Sequence, residues 1–179
     1  MTTPHEAVVV LSRALDQAGD VLAGVQPDQL SGPTPCGDWT VEQLIAHLLA
    51  TPGNFITMAE GGEPDWSAAP PSVPQDWVGA FRSSADDLIH LWHQRDDGGG
   101  ADWQTAEFAV HTWDLARATG QSTDLDPEVA ERGLAFMSQG LTPDNRGEAF
   151  GPEVSVPDDA PVYDRLAAFA GRDPAQTPS

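Results

Sequence analysis

A carboxylate and an imidazole occur four residues apart in a stretch that reads as helix. Glu107 and His111 would then share one helix face, roughly 6 Å apart at the backbone and close enough to hold the same divalent ion. His47, a polar residue inside the apolar run LIAHLL of a separate helix, is the best third ligand. Such a set leaves coordination positions open for water or a substrate. We therefore expect the function to lie at a metal site built from His47, Glu107 and His111.

Each of these residues also has a purely structural interpretation. The spacing of Glu107 and His111 fits a solvated helix pair equally well, and His47 alone is more typical of a core histidine hydrogen-bonded to a neighbour. Asp114, one turn beyond His111, could orient a ligand histidine from behind or pair with Arg117, three residues further on. The spacing leaves both roles of Asp114 open.

The remaining candidate side chains are assigned to packing or to the surface. Cys36 precedes the helix that carries His47. The two residues are roughly 10 Å apart along the axis of that helix, so we do not expect Cys36 to bind the same ion directly. A thiol near a helix N-terminus could act in redox chemistry or thiol exchange, but a packed loop cysteine is the preferred interpretation. His90 and His93 have ligand-like spacing and are predicted to be surface groups. Trp66, in a proline-rich segment, is predicted to line a mobile cleft.

The composition of the 179-residue chain excludes several classes of partner. Its 28 acidic residues, against eight arginines and no lysine, give a formal charge of −20, which repels phosphate backbones and anionic lipids but attracts cations. No apolar run approaches the roughly 20 residues that span a bilayer, and the N-terminus lacks the features of a signal peptide. A single cysteine forbids an internal disulfide. We expect a cytoplasmic protein without nucleic-acid or membrane partners.

The elements that must position these residues are helices. Thr40 with Gln43 forms a capping box, Asp126 before Pro127 is typical of a helix start, and Gly120 suits a left-handed helix end. The apolar periodicity predicts helices over 5–24, from 40 to 51 or beyond, and over 75–94, 102–119, 126–139 and 161–170. Four prolines make the segment 60–76 a long crossover, which suggests parallel neighbouring helices or a lid.

Four long helices without a repeat of fixed period favour an all-α four-helix bundle with short additional C-terminal helices. The length fits one domain, which we place at residues 1–172. Residues 173–179 are predicted to form a disordered tail.

Four segments of the chain together resemble a known family. They are residues 34–41 (TPCGDWTV), 44–48 (LIAHL), 107–120 (EFAVHTWDLARATG) and 171–174 (GRDP). This set is similar to the actinobacterial metal-binding proteins related to the N-terminal domain of mycothiol-dependent maleylpyruvate isomerase, in the DinB-like bundle superfamily. The resemblance extends over nearly the whole chain.

The resemblance implies a DinB-like four-helix bundle with a divalent metal ion, usually zinc or nickel. By position, the implied ligands are His47, Glu107 and His111. In the isomerase a separate C-terminal domain follows the bundle, whereas this chain stops about where the bundle should, so the resemblance implies the metal site and leaves the maleylpyruvate reaction open. Superfamily relatives use the metal to activate a low-molecular-weight thiol, which implies a thiol such as mycothiol as a cosubstrate.

The resulting expectation is a metal-dependent transferase or isomerase that acts on a small-molecule substrate through an activated thiol. Activation of water by the same three ligands would instead make a hydrolase. A catalytically silent metal-binding or stress-response protein is a further alternative, and a bundle that only binds another protein would hold no metal. A homodimer is compatible with the sequence.

Overall fold

The computed structural model of the protein describes residues 4–66, 72–95, 97–146 and 150–177. Within these ranges the chain forms six α-helices and a short 3-10 turn at Pro27–Gln29, with no named strand. The helices are α1 (Pro4–Ala23), α2 (Val41–Ala59), α3 (Trp77–His93), α4 (Ala101–Ala118), α5 (Pro127–Gly140) and α6 (Val162–Phe169). The prediction of an all-α, DinB-like bundle is confirmed. Its predicted helix ends differ by one or two residues, where local caps decide the boundary.

The directions of the first three helices follow from contacts at their ends. Arg95, just after α3, donates a hydrogen bond to the carbonyl of Ala59 at the end of α2. The indole nitrogen of Trp77, at the start of α3, donates to the carbonyl of Leu22 near the end of α1 at 3.0 Å. Helices α2 and α3 are therefore parallel, and both run against α1. The crossover thus joins parallel neighbours, and its residues 67–71 lie outside the described residues.

Helix α4 is the central helix of the bundle. It packs against α1, α2, α5 and α6, and most of its residues are buried, including Phe108, Trp113 and Leu115. Its polar residues His111 and Asp114 are buried as well, so they face neighbouring helices and loops. None of the helices in the described ranges is both long and apolar enough to cross a membrane.

The start of α2 is set by the predicted capping box. The Thr40 hydroxyl accepts a hydrogen bond from the Gln43 amide at 3.3 Å, and the Gln43 side chain accepts one from the Thr40 amide at 2.9 Å. The helix then continues through Pro52 to Ala59, as its apolar pattern allowed. This places His47 on the second turn of a well-anchored helix.

Three glycines follow helix ends in the left-handed conformation, among them Gly61 after α2 with φ +85°. Gly120, after α4, has φ +67°, which confirms its predicted role, and Gly171, after α6, has φ +90°. Beyond Gly171, the Arg172 amide donates to the Ala167 carbonyl at 2.9 Å, so the chain reverses at this point. The single domain at 1–172 and the disordered tail at 173–179 stay predictions, and residues 178–179 lie outside the described part.

We expect the substitution Thr40→Ala to lower the free energy of unfolding by about 1 kcal/mol, because an orphan amide in the first turn of α2 loses its acceptor. The matched control is Thr57→Ala, in the last turn of the same helix, where the hydroxyl donates to the Gly53 carbonyl; its effect should stay within about 0.5 kcal/mol. Denaturant unfolding of both variants measures the difference. Equal effects would show that the capping box does not anchor α2.

Candidate metal centre

The structure brings the three predicted ligands together between α2 and α4. The same carboxylate oxygen, Glu107 Oε1, lies 2.8 Å from His47 Nε2 and 3.1 Å from His111 Nε2. Side-chain exposure is 20% for His47, 16% for Glu107 and 9% for His111, so the cluster is largely shielded from bulk water and still reachable from it. That these groups bind a metal ion stays a prediction, but their convergence is a feature of the fold.

The donor set fits a divalent ion. The three ligand atoms lie within 4.8 Å of one another, and donors around one tetrahedral zinc ion are roughly 3.3 Å apart. The observed separations from Glu107 Oε1 come close to that value. Two imidazoles and one carboxylate are also a known ligand set of catalytic zinc sites, in which a further position remains open.

An indole packs against the two imidazoles. The Trp39 ring lies 5.0 Å from the His47 ring, centroid to centroid, and stacks on the His111 ring at 6.2 Å with an interplanar angle of 21°. The imidazoles themselves meet edge to face at 4.7 Å. Trp39 therefore restricts both rings and keeps water from one side of them. The sequence contained only an indirect sign of this role, because Trp39 lies outside α2, just before its Thr40 cap.

Asp114 lies behind His111. Its Oδ2 atom is 3.3 Å from His111 Nδ1, and the carboxylate forms a buried ion pair with Arg172, with Nη2 to Oδ2 at 2.9 Å and Nε to Oδ1 at 3.1 Å. Arg117, the other partner considered for Asp114, instead donates to the Pro174 carbonyl at 2.8 Å. Of the two roles left open by the spacing, the geometry supports the orientation of His111.

Cys36 lies close to His111 and Asp114. Its Sγ accepts a hydrogen bond from Arg172 Nη2 at 3.4 Å, and Cys36, His111 and Asp114 hold ligand-type atoms within 4.8 Å of one another. The Arg172 guanidinium contacts both Cys36 and Asp114, so a positive charge already stands beside this second donor set and opposes another cation there. Cys36 is thus a half-buried neighbour of the site, a position that the helical spacing did not predict.

The charges of the cluster shift the pKa values of its buried members. Burial raises the pKa of Glu107, but the charge of His111 and hydrogen bonds from His111 and His47 outweigh it and hold the pKa well below 4.5. Burial lowers the pKa of His111, whereas the Glu107 charge and the Asp114 hydrogen bond raise it well above 6.5. Burial also raises the pKa of Asp114, and Arg172 brings it below 3.8. Metal-free protein therefore holds an ion pair at this place.

The other candidate side chains lie apart from this cluster. His90 and His93 are exposed at the end of α3, and His90 contacts the side chain of Gln94 at 2.9 Å, which confirms the surface interpretation. Trp66 is 47% exposed and meets the buried Phe55 ring edge to face at 5.8 Å. That it lines a mobile cleft stays a prediction.

Comparisons with known proteins show which family the chain resembles. A family model described as the mycothiol maleylpyruvate isomerase N-terminal domain matches residues 11–116, a range that contains His47, Glu107, His111 and Asp114. Two proteins of Mycobacterium tuberculosis, from strains CDC 1551 / Oshkosh and ATCC 25618 / H37Rv, are 37% identical over 180 residues, covering 89% of this chain and 94% of each relative. Both are described as uncharacterized. No solved structure matches the chain.

The ion pair predicts how the stability of chelator-treated protein depends on pH. The raised pKa of His111 contributes stability that is fully present below about 6.5 and is lost as pH rises through the raised value. The lowered pKa of Glu107 contributes stability that is present above about 4.5 and is lost only as pH falls through the lowered value. The Tm of metal-free protein should therefore fall as pH rises above about 6.5.

Replacement of His111 should flatten this dependence. Thermal unfolding in chelator at several pH values would compare wild type with His111→Gln and with the control His90→Gln, which removes an exposed histidine. We expect the slope above pH 6.5 to persist in the control and to shrink in His111→Gln. If Tm changed with pH in the same way in all three proteins, the ion pair of Glu107 and His111 would not be the cause of the change.

Proposed function

The chain belongs to the family of the mycothiol maleylpyruvate isomerase N-terminal domain, and from this premise we propose that it is a divalent-metal-binding bundle whose ligands are His47, Glu107 and His111. We propose further that the ion, zinc or nickel, serves a transferase or isomerase reaction in which a low-molecular-weight thiol such as mycothiol attacks a small-molecule substrate. The observation that supports the metal site most directly is the contact of both imidazoles with one oxygen of Glu107, at 2.8 and 3.1 Å.

The residues of the chain have separable tasks in this proposal. A bound divalent ion would lower the pKa of a coordinated thiol or water, so that a nucleophile is available at neutral pH. His47 and His111 must be neutral to offer their Nε2 lone pairs, so His111 must give up the proton that Glu107 stabilises in metal-free protein. Asp114 then accepts a hydrogen bond from Nδ1 and keeps the ring of His111 turned towards Glu107.

The choice of thiol as nucleophile rests on the family, because the same three ligands would serve water equally well. A metal-dependent hydrolase and a catalytically silent metal-binding protein are therefore the alternatives that the tests below must separate. We propose the cytoplasm as the compartment, since a reducing environment maintains both Cys36 and a free low-molecular-weight thiol. The charge of −20 argues against nucleic acid or an anionic membrane as partner.

We expect Glu107→Gln and His111→Ala to lose most of the bound zinc or nickel, since each removes one of three ligands. The proteins would be produced without a polyhistidine tag or chelator, dialysed against the metal and measured by elemental analysis. Wild type and the control His90→Ala should retain about one ion per chain, and all four should keep a helical circular-dichroism spectrum. Full metal content in both ligand variants would move the site elsewhere.

The thiol proposal predicts an enzymatic rate. Zinc- or nickel-loaded wild type should accelerate the conjugation of mycothiol with at least one electrophile in a small-molecule panel, and metal-loaded His90→Ala should match it. His111→Ala should fall to the uncatalysed rate. Hydrolysis of ester or amide substrates without any thiol reaction would instead support a hydrolase. Neither activity in fully loaded protein would support the silent metal-binding protein.

A further inference from the structure

We propose that Arg172 is a positioning residue of the metal centre, which acts through Asp114 to hold His111 in the orientation that metal binding requires. The inference rests on the metal site proposed above and assigns a task to a residue that lies outside the range matched by the family model, 11–116. It does not place Arg172 in contact with the ion or the substrate.

Arg172 and Asp114 are joined by two buried hydrogen bonds. The guanidinium donates from Nη2 to Oδ2 at 2.9 Å and from Nε to Oδ1 at 3.1 Å. Two parallel hydrogen bonds between planar groups prevent the carboxylate from rotating. Arg172 is 5% exposed and Asp114 is 0% exposed, so water does not compete for these bonds. The oxygen Oδ2 therefore has a defined position.

The positioned oxygen of Asp114 contacts His111, one of the proposed ligands. The same Oδ2 lies 3.3 Å from His111 Nδ1, and the opposite nitrogen of the ring, Nε2, lies 3.1 Å from Glu107 Oε1. An acceptor held at Nδ1 selects the ring orientation in which Nε2 faces Glu107 and His47. Arg172, Asp114 and His111 thus form one line of contacts that ends at the ligand set.

Contacts within its own turn and with a neighbouring segment support Arg172 itself. Its Nη1 donates to the Ala170 carbonyl at 2.8 Å, and Gly171, with φ +90°, turns the chain immediately before it. A Cβ atom at Gly171 would lie 2.6 Å from the backbone nitrogen of Gly151, so the turn packs directly on a neighbouring segment. The turn that carries Arg172 is therefore packed against the segment of Gly151, and the guanidinium is hydrogen-bonded to the turn itself.

Arg117 offers a matched control for general loosening of this segment. It lies on α4, three residues beyond Asp114, and donates to the carbonyls of Pro174 and Gln176 at 2.8 and 2.7 Å. Arg117 therefore ties the same C-terminal segment to the same helix as Arg172 does. These hydrogen bonds do not involve the Asp114 carboxylate. Arg117→Met therefore loosens the C-terminal segment without removing the group that positions Asp114.

The experiment measures Co²⁺ affinity by competition with a chelator and records the visible absorption of the Co²⁺ complex, which reports ligand geometry. We expect Arg172→Met to weaken Co²⁺ binding by about 10- to 100-fold and to change the absorption bands. Arg172→Lys keeps the charge without the fork and should lie between Arg172→Met and wild type. Arg117→Met should bind within about twofold of wild type, with the same bands.

A double-substitution cycle tests whether Arg172 acts through Asp114. In the Asp114→Asn background, Arg172→Met should cause little further loss of Co²⁺ affinity, because the carboxylate that it positions is already absent. Losses that multiply in the double variant would overturn the proposal. Equal losses in Arg117→Met and Arg172→Met, or wild-type affinity in Arg172→Met, would overturn it as well. Should Arg172→Met fail to fold, the same cycle with Arg172→Lys decides the question.

The two proposals fail in distinguishable ways. Wild type that binds no Co²⁺, zinc or nickel contradicts the metal centre, and the positioning role with it. Wild type that binds Co²⁺ through His47, Glu107 and His111, together with an Arg172→Met variant of equal affinity, contradicts the positioning role alone.

Discussion

The constraint on which this structure depends is a carboxylate inside a helical bundle. Glu107 is 16% exposed, and an ionised group in such a place costs several kcal/mol unless its charge is compensated. Compensation comes from two imidazoles on different helices, so α2 must present His47 opposite Glu107 at one register. Further along the contact between α2 and α4, the rings of Phe55 and Trp103 lie 5.2 Å apart. Because Phe55 follows His47 whereas Trp103 precedes Glu107, the two helices are antiparallel. The same packing of α2 against α4 therefore forms this part of the bundle and brings the charged groups of the site together.

The compensation continues away from the seam through groups of alternating charge. Behind His111 lies the Asp114 carboxylate, and behind Asp114 lies the guanidinium of Arg172. In a chain of charge −20, a buried arginine paired with a buried carboxylate is a scarce positive charge. In the proposed function, a divalent ion would take the place of the proton on His111 as the positive charge beside Glu107.

Local patterns in the sequence were sufficient to predict the helices and the pairing of Glu107 with His111 on one helix face. The capping box at Thr40, the left-handed Gly120 and the i to i+4 relation of Glu107 and His111 each involve a few neighbouring residues. Helix geometry repeats every 3.6 residues, so such relations are determined before any tertiary contact forms. His47 could be joined to this pair only by the polar position in an apolar run and by the family resemblance. The all-α class followed from the same local information.

Tertiary structure alone decided which partners those residues acquired. Asp114 had an available arginine three positions away, yet it pairs with Arg172, which is 58 residues distant. Trp39 packs on the imidazoles, and Cys36 approaches His111 and Asp114, because the loop before α2 packs against α4. The paths of loops and of the C-terminal segment depend on packing against distant surfaces, and no periodicity in the sequence records that packing. The sequence determined which groups were available and on which helix faces they stand; the fold determined which of them meet.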